Sequence, residues 1–234
     1  MALPKIQQPH FDLTLPVCQK KIKFRPFLVK EEKILLVGKE GGQSQQMSAM
    51  KQILKEVVVS PKNFNPNDLN LCDMEYLFLN LRARSVQNVV ELKYRDREDE
   101  QVYDFTIDLD ELEPTFHEDH VNEIDLDGNI GVKLREPTLG MVEKLDIQEG
   151  EEANRDNVYK LLAGCIEQVY DKKEVYDDFT TEEAIEFLQN LDMVMFEKIK
   201  QFYDTLPKLT HELTYVNKNG NNRSIKLQGL ADFF

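Results

Sequence analysis

Two stretches carry side chains that could hold a metal ion, and a third has the glycines of a phosphate loop. Asp125-Leu126-Asp127-Gly128-Asn129 sets carboxylates around a glycine, as a calcium loop does. If Gly128 is the sixth loop position, the twelfth is Leu134, where a calcium loop needs a bidentate carboxylate. The stretch therefore reads as a tight hairpin turn. His117-Glu118-Asp119-His120 has ligand-type side chains, but it lacks a third anchored ligand and a helix to set both histidines on one face. An exposed polar loop is expected there, and a metal-dependent enzyme centred on His117, His120 and the nearby acids is the enzymatic alternative. Gly41-Gly42 follows a helical pattern and precedes no Lys-Ser or Lys-Thr pair, so it is not a phosphate loop. His10 and His211 are isolated, and no nucleophile-elbow motif or Cys/His pair at catalytic spacing occurs. No catalytic residue, cofactor or metal is expected.

The cysteines point the same way. Cys18, Cys72 and Cys165 are far apart and odd in number, which supports neither a disulfide framework nor a zinc knuckle. Cys72 and Cys165 sit in apolar helical settings and read as small core hydrophobes, and a reducing cytoplasm is the natural compartment. At 41% hydrophobic and 31% charged over 234 residues, the chain has the make-up of a folded globular protein with a real core. A net charge of −14 repels phosphate, which argues against nucleic acid and suits a partner with a basic patch. No apolar run reaches membrane-span length, and the N-terminus lacks the order of a signal peptide.

The element around which the chain is organised runs from Leu71 to Tyr94. Met74, Tyr76, Leu77, Phe78, Leu79 and Leu81 are apolar nearly all round a helix, as expected of one buried on most faces. Asn67 or Asp68 is its expected N-cap. After Ser85 the pattern alternates, with Val90, Leu92 and Tyr94 on one side, so a half-buried strand follows. Two short strands bounded by Pro16 and Pro26 are expected before it, then helices over Val29–Val37 and Gln46–Val58 ended by Pro61. After it, Val102–Leu109 closes one hairpin, and the Asp127-Gly128-Asn129 turn joins Ile124–Leu126 to Ile130–Leu134.

From Pro137 the pattern is helical: Thr138–Leu145, Arg155–Tyr170, a helix near Glu182–Asn190 with a capping box at Thr180 or Thr181, and Leu191–Leu206. Asn219-Gly220 then turns a last hairpin between Leu209–Val216 and Arg223–Leu227. The fold class is α+β, with short N-terminal strands, a buried central helix leading into antiparallel hairpins, and a helical C-terminal half closed by a β-hairpin. The expected division is 1–136 and 137–234.

Candidate interaction residues lie at the ends of these elements. Arg82 and Arg84 end the central helix, where they either complement its carbonyl end or grip a partner. Asp104, Asp108, Asp110, Glu111, Glu113, Glu118 and Asp119 stand without a nearby lysine in sequence, either as a solvated face or as a surface for a basic partner. Phe233 and Phe234 at the chain end either close the core or insert into a neighbour.

Three stretches in order, KIKFRPFLVKEEKILLV (Lys21–Val37), DMEYLFLNLRARSVQNVVELKYR (Asp73–Arg95) and HELTYVNKNGNNRSIKLQGLADFF (His211–Phe234), resemble the baseplate hub protein family of T-even-type contractile-tailed phages. The run from Arg25 to Lys33 is the most distinctive part. The resemblance implies a non-enzymatic baseplate hub assembly factor, chaperone-like, that binds hub or tape-measure proteins in the cytoplasm of the infected bacterium. The alternative is a permanent structural subunit of the virion baseplate, including one that self-associates in a ring. Arg25, Phe27, Lys30, Glu31, Arg82, Arg84, Phe233 and Phe234 form the expected partner-binding set. Many relatives also carry cysteine pairs at two hairpin turns, suggestive of zinc. Here those turns are Asp96–Gln101 and Asn217–Asn222, and neither has a cysteine. Elemental analysis of the purified protein is expected to find no stoichiometric zinc, and chelator is expected to leave its melting temperature unchanged.

Overall fold

The computed structural model describes residues 6–40, 42–145 and 151–233, with all their side chains except those at 35–40, 42–44, 151–155 and 231. In chain order the elements are β1 (Phe11–Thr14), β2 (Lys21–Phe24), α1 (Val29–Glu40), α2 (Gly42–Val57), β3 (Val58–Ser60), α3 (Leu71–Ser85), β4 (Val89–Arg95) and β5 (Val102–Asp108). Then come β6 (Glu123–Asp125), β7 (Ile130–Leu134), α4 (Leu139–Glu143), α5 (Glu151–Cys165), β8 (Ile166–Asp171), β9 (Val175–Tyr176), α6 (Thr181–Gln189), α7 (Met193–Asp204), β10 (Thr210–Val216) and β11 (Asn222–Gln228). The fold is α+β, and the paired strands are antiparallel.

Two compact units result. The first comprises residues 1–66, 72–115 and 208–234, and the second comprises 67–71 and 116–207. In the first unit the C-terminal hairpin β10–β11 joins the N-terminal elements through the buried cluster it shares with α3 and the β4–β5 hairpin.

In unit 1, β1, β2 and β3 form a three-stranded sheet. Met50, Ile53, Leu54 and Val57 are buried at helical spacing along α2, so its apolar stripe is a core face. Helix α3 is buried over most of its circumference, including Met74, Leu77, Phe78, Leu79 and Leu81. It starts at Leu71 after a short 3-10 turn over Pro66–Asp68, so Asn67 and Asp68 precede its cap position. Hairpins β4–β5 and β10–β11 turn their apolar faces into one cluster with α3, joining Leu79, Ala83, Val90, Ile107, Leu209 and Leu227.

In unit 2, β6–β7–β8–β9 form a four-stranded sheet, and Val132, Leu134, Ile166, Leu188, Ile199 and Phe202 make its core with the helices. The helix expected over Arg155–Tyr170 ends at Cys165, because Ile166–Asp171 pairs with β7 instead. That segment holds Ile166, Val169 and Tyr170, types that favour strands, and tertiary pairing overrides the helical pattern before it. Thr180 caps α6 in a capping box with Glu183, and Asp192 caps α7, so the chain restarts a helix there. Gly128 at φ +84° and Gly220 at φ +82° occupy the left-handed turn positions that the Asp-Gly and Asn-Gly signals require.

A fully buried carboxylate fastens the first hairpin to α3. Asp73 accepts the backbone N–H groups of Val17 and Cys18, both at 2.9 Å. Asp73→Ala removes the acceptor of two half-buried donors and is expected to cost about 2–4 kcal/mol, read from denaturant unfolding. A loss below about 0.5 kcal/mol would mean that solvent reaches the turn.

Candidate functional site

The run Arg25–Lys33 folds into an ion cluster at the junction of β2, α1 and α2. Glu31 is the third residue of α1, and its carboxylate reaches back to the Leu28 N–H, half of a capping box whose cap residue is apolar. The same carboxylate accepts from Arg25 at 3.0 Å and lies 3.1 Å from Lys30, which also pairs with Glu56 at 3.1 Å. Arg25 further donates to the carbonyls of Pro26 at 2.9 Å and of Glu56, at the C-terminal end of α2, at 3.4 Å. An acid thus faces the positive end of one helix and a guanidinium the negative end of the next. Burial resists ionisation of Glu31, but the hydrogen bonds from Arg25, Leu28 and Lys30 outweigh it and hold the carboxyl down at about 2.

Phe27 is half-buried, and its N–H donates to Ser85 Oγ at 3.0 Å, which ties this cluster to the end of α3. Arg84 forms a two-pronged pair with Asp110, at 3.0 and 3.1 Å, and lies 5.6 Å over the Phe11 ring. Arg82 is half-buried, and burial pulls its guanidinium below the usual arginine range. Phe233 is fully buried in the cluster beneath the hairpins, so its ring closes the core; Phe234 lies outside the described residues. The structure therefore gathers Arg25, Phe27, Lys30 and Glu31, gives Arg84 its own partner on the loop after β5, and uses Phe233 internally. Asp104 does have a lysine beside it: Lys93, across the hairpin, at 3.5 Å.

The two turns without cysteine meet. Asp96 is fully buried and accepts from Tyr215 Oη and from the Glu98 N–H, both at 2.7 Å. Glu98 accepts from Asn221 at 2.6 Å and Asn217 at 3.2 Å, with Arg223 3.4 Å away. Asp99 accepts from Tyr103 Oη at 2.6 Å and from the Lys218 N–H at 2.8 Å. Tyr215 stacks among Tyr94, Tyr103 and Phe105 just inside this clasp. Carboxylates and amides thus join the hairpin tips. Hydrogen bonds from Glu98 N–H and Tyr215, with Arg223 nearby, hold Asp96 below the usual carboxylate range against its burial. Burial opposes the ionisation of Asp99, and the bonds from Tyr103, Gln101 and Lys218 overcome it. Sequence reasoning missed this clasp, since its two turns lie more than a hundred positions apart.

The other sequence candidates separate. Asp125 accepts the Gly128 N–H at 2.6 Å and Asp127 those of Asn129 and Ile130 at 2.8 Å, so both carboxylates build the hairpin turn. His117 is exposed, whereas His120 is stacked on Phe202 at 4.8 Å, 3.0 Å from Thr205 Oγ1 and 3.7 Å from Glu136. No grouping of three or more His, Cys, Asp or Glu suited to a metal ion occurs among the described residues. Burial pushes the thiols of Cys18 and Cys165 up to about 11 and of Cys72 up to about 12, far from a nucleophile's range. Among the described residues no helix is long and apolar enough to cross a membrane.

A family model described as T4 bacteriophage base plate protein matches residues 8–234, across both units. The chain belongs to the T4 bacteriophage base plate protein family. No curated protein and no solved structure matches it.

One carboxylate opposes the rest of the acid-dependent stability. Glu75 on α3 accepts the Leu230 N–H at the start of the C-terminal turn, and burial pushes its carboxyl up to about 7. Glu31, Asp96 and Asp99 have lowered values, so their stabilisation is complete above the unfolded carboxylate range and is lost as pH falls through it. Glu75 works in the opposite sense: the unfolded chain releases its proton near 4.5 and the folded chain only near 7, so the fold weakens between these values. Glu75→Gln is expected to match the wild type at pH 4 and to gain up to about 3 kcal/mol at pH 8, measured by urea unfolding at both values. Equal stability at pH 8 would show that Glu75 ionises freely.

Proposed function

We propose that the protein is a non-enzymatic assembly factor of the phage tail baseplate hub, made in the infected bacterium, which holds hub or tape-measure proteins through its surface while the hub forms. The family match over residues 8–234 carries the baseplate role. The separation of the histidines and the protonated thiols support a role without catalysis. A second reading, a permanent structural subunit of the virion, is favoured by the family's own description as a base plate protein.

Of the eight residues singled out in the sequence, Lys30, whose side chain is 63% exposed, and Arg84, at 39%, remain open to a partner. Arg25, Glu31 and Phe233 support the fold that presents them. Quantitative mass spectrometry of purified particles beside infected-cell lysate separates the two forms. An assembly factor is abundant in lysate and absent from particles, whereas a subunit is present at a simple ratio to other baseplate proteins.

A further inference from the structure

The two units differ sharply in charge. Unit 2 holds 24 Asp and Glu against 9 Lys and Arg, a net −15, while unit 1 holds 19 against 20, a net +1. The chain's whole negative charge is therefore a property of unit 2. Within that unit lies an open groove of about 370 Å³ over the β7–β8–β9 side of the sheet, walled on the other side by α6. Ile130, Val169, Tyr170, Tyr176, Phe179 and Phe187 line it. Its floor is fixed by a close fit: Tyr170 lies across Gly131, where even a Cβ would come within 2.3 Å of the ring.

The outermost strand, β9, has only two residues, and both are exposed, Val175 at 59% and Tyr176 at 46%. Asp171 and Glu183 belong to the lining, and the segment that carries them, residues 171–186, holds seven acids (Asp171, Glu174, Asp177, Asp178, Glu182, Glu183 and Glu186) against Lys172 and Lys173. Lys172 is turned to Asn129, at 2.7 Å.

Aromatic side chains in a concave site are the commonest anchors of protein interfaces. The volume lies at the lower end of the roughly 300–1,000 Å³ typical of small-ligand pockets, so it suits inserted side chains rather than a packed helix. An acidic partner, nucleic acid included, is repelled by the rim, and a second unit 2 is repelled by its own net charge. We propose that this groove is a docking site for a short segment of another baseplate protein, in which an apolar or aromatic side chain is flanked by lysine or arginine. The side chain fills the floor, and the flanking cations pair with the rim acids. The site rests on the baseplate role and names the chemistry through which the acidic unit meets its partner.

The test places the photo-cross-linker p-benzoyl-phenylalanine in the full chain during infection, as Tyr176→p-benzoyl-phenylalanine, followed by mass spectrometry of baseplate intermediates. The expected product joins position 176 to another baseplate protein at an apolar residue with Lys or Arg close on either side. That segment, made as a peptide, then binds the full chain with an affinity that falls at least about tenfold from low to high salt, and about tenfold in the Glu174→Lys/Asp177→Lys/Asp178→Lys variant. A cross-link to a second copy of this chain, or to an acidic segment, overturns the proposal. So does an absence of cross-links in intermediates that contain the chain, an outcome that leaves the baseplate role standing. Absence of the chain from every intermediate, with wild-type protein as control, overturns the baseplate role and the groove with it.

Discussion

A helix buried over most of its circumference leaves few of its polar residues to solvent, so the buried ones need partners within the fold. Helix α3 is under that constraint, and it turns its polar residues into tethers. Asp73 holds the turn of the first hairpin, Glu75 the C-terminal turn, Ser85 the backbone of Phe27, and Arg84 the loop after β5. Segments far apart in sequence are thereby fixed to one rod. Apolar side chains, in the cluster beneath the hairpins and along α2 and the first sheet, supply the burial, while these tethers set which segment lies where.

The rest of unit 1 repeats this use of charge at a smaller scale. Glu31 and Arg25 join one helix start to another helix end, and Asp96, Glu98 and Asp99 join two hairpin tips. Glu31, Asp96 and Asp99 each accept several donors at once, which favours the ionised form. In unit 2 two acids, Asp171 and Glu183, stand instead in the lining of an apolar groove.

The sequence was most informative where pattern and environment agree. The all-round apolar face of α3, the Asn-Gly and Asp-Gly turns and the Thr180–Glu183 capping box are local signals, and each appears where expected. It was least informative where pairing partners are remote. Strand β3 exists because β2 lies beside it, and β8 takes over from α5 at Ile166 because β7 offers a free edge. The groove is hidden in the sequence for the same reason, since Val169 and Tyr170 continue the helical pattern that precedes them. The clasp between hairpin tips could not be seen at all, because its residues are more than a hundred positions apart. The distinctive Arg25–Lys33 run was legible as a signature, but its ion pairs only became clear once α2 lay beside it.

The order of the units along the chain has a consequence for synthesis. Apart from residues 67–71, unit 2 is one continuous stretch, whereas unit 1 needs residues 208–234 to supply β10, β11 and the Phe233 plug. On the ribosome, unit 1 begins to emerge before the continuous stretch of unit 2 and is finished after it. During translation of the second unit, hairpin β4–β5 presents Val90, Leu92 and Ile107 without the strands that later cover them. The nascent chain thus passes through a stage with a completed acidic unit and an open apolar half, a form exposed to aggregation. Arrival of β10, β11 and Phe233 over this face ends it.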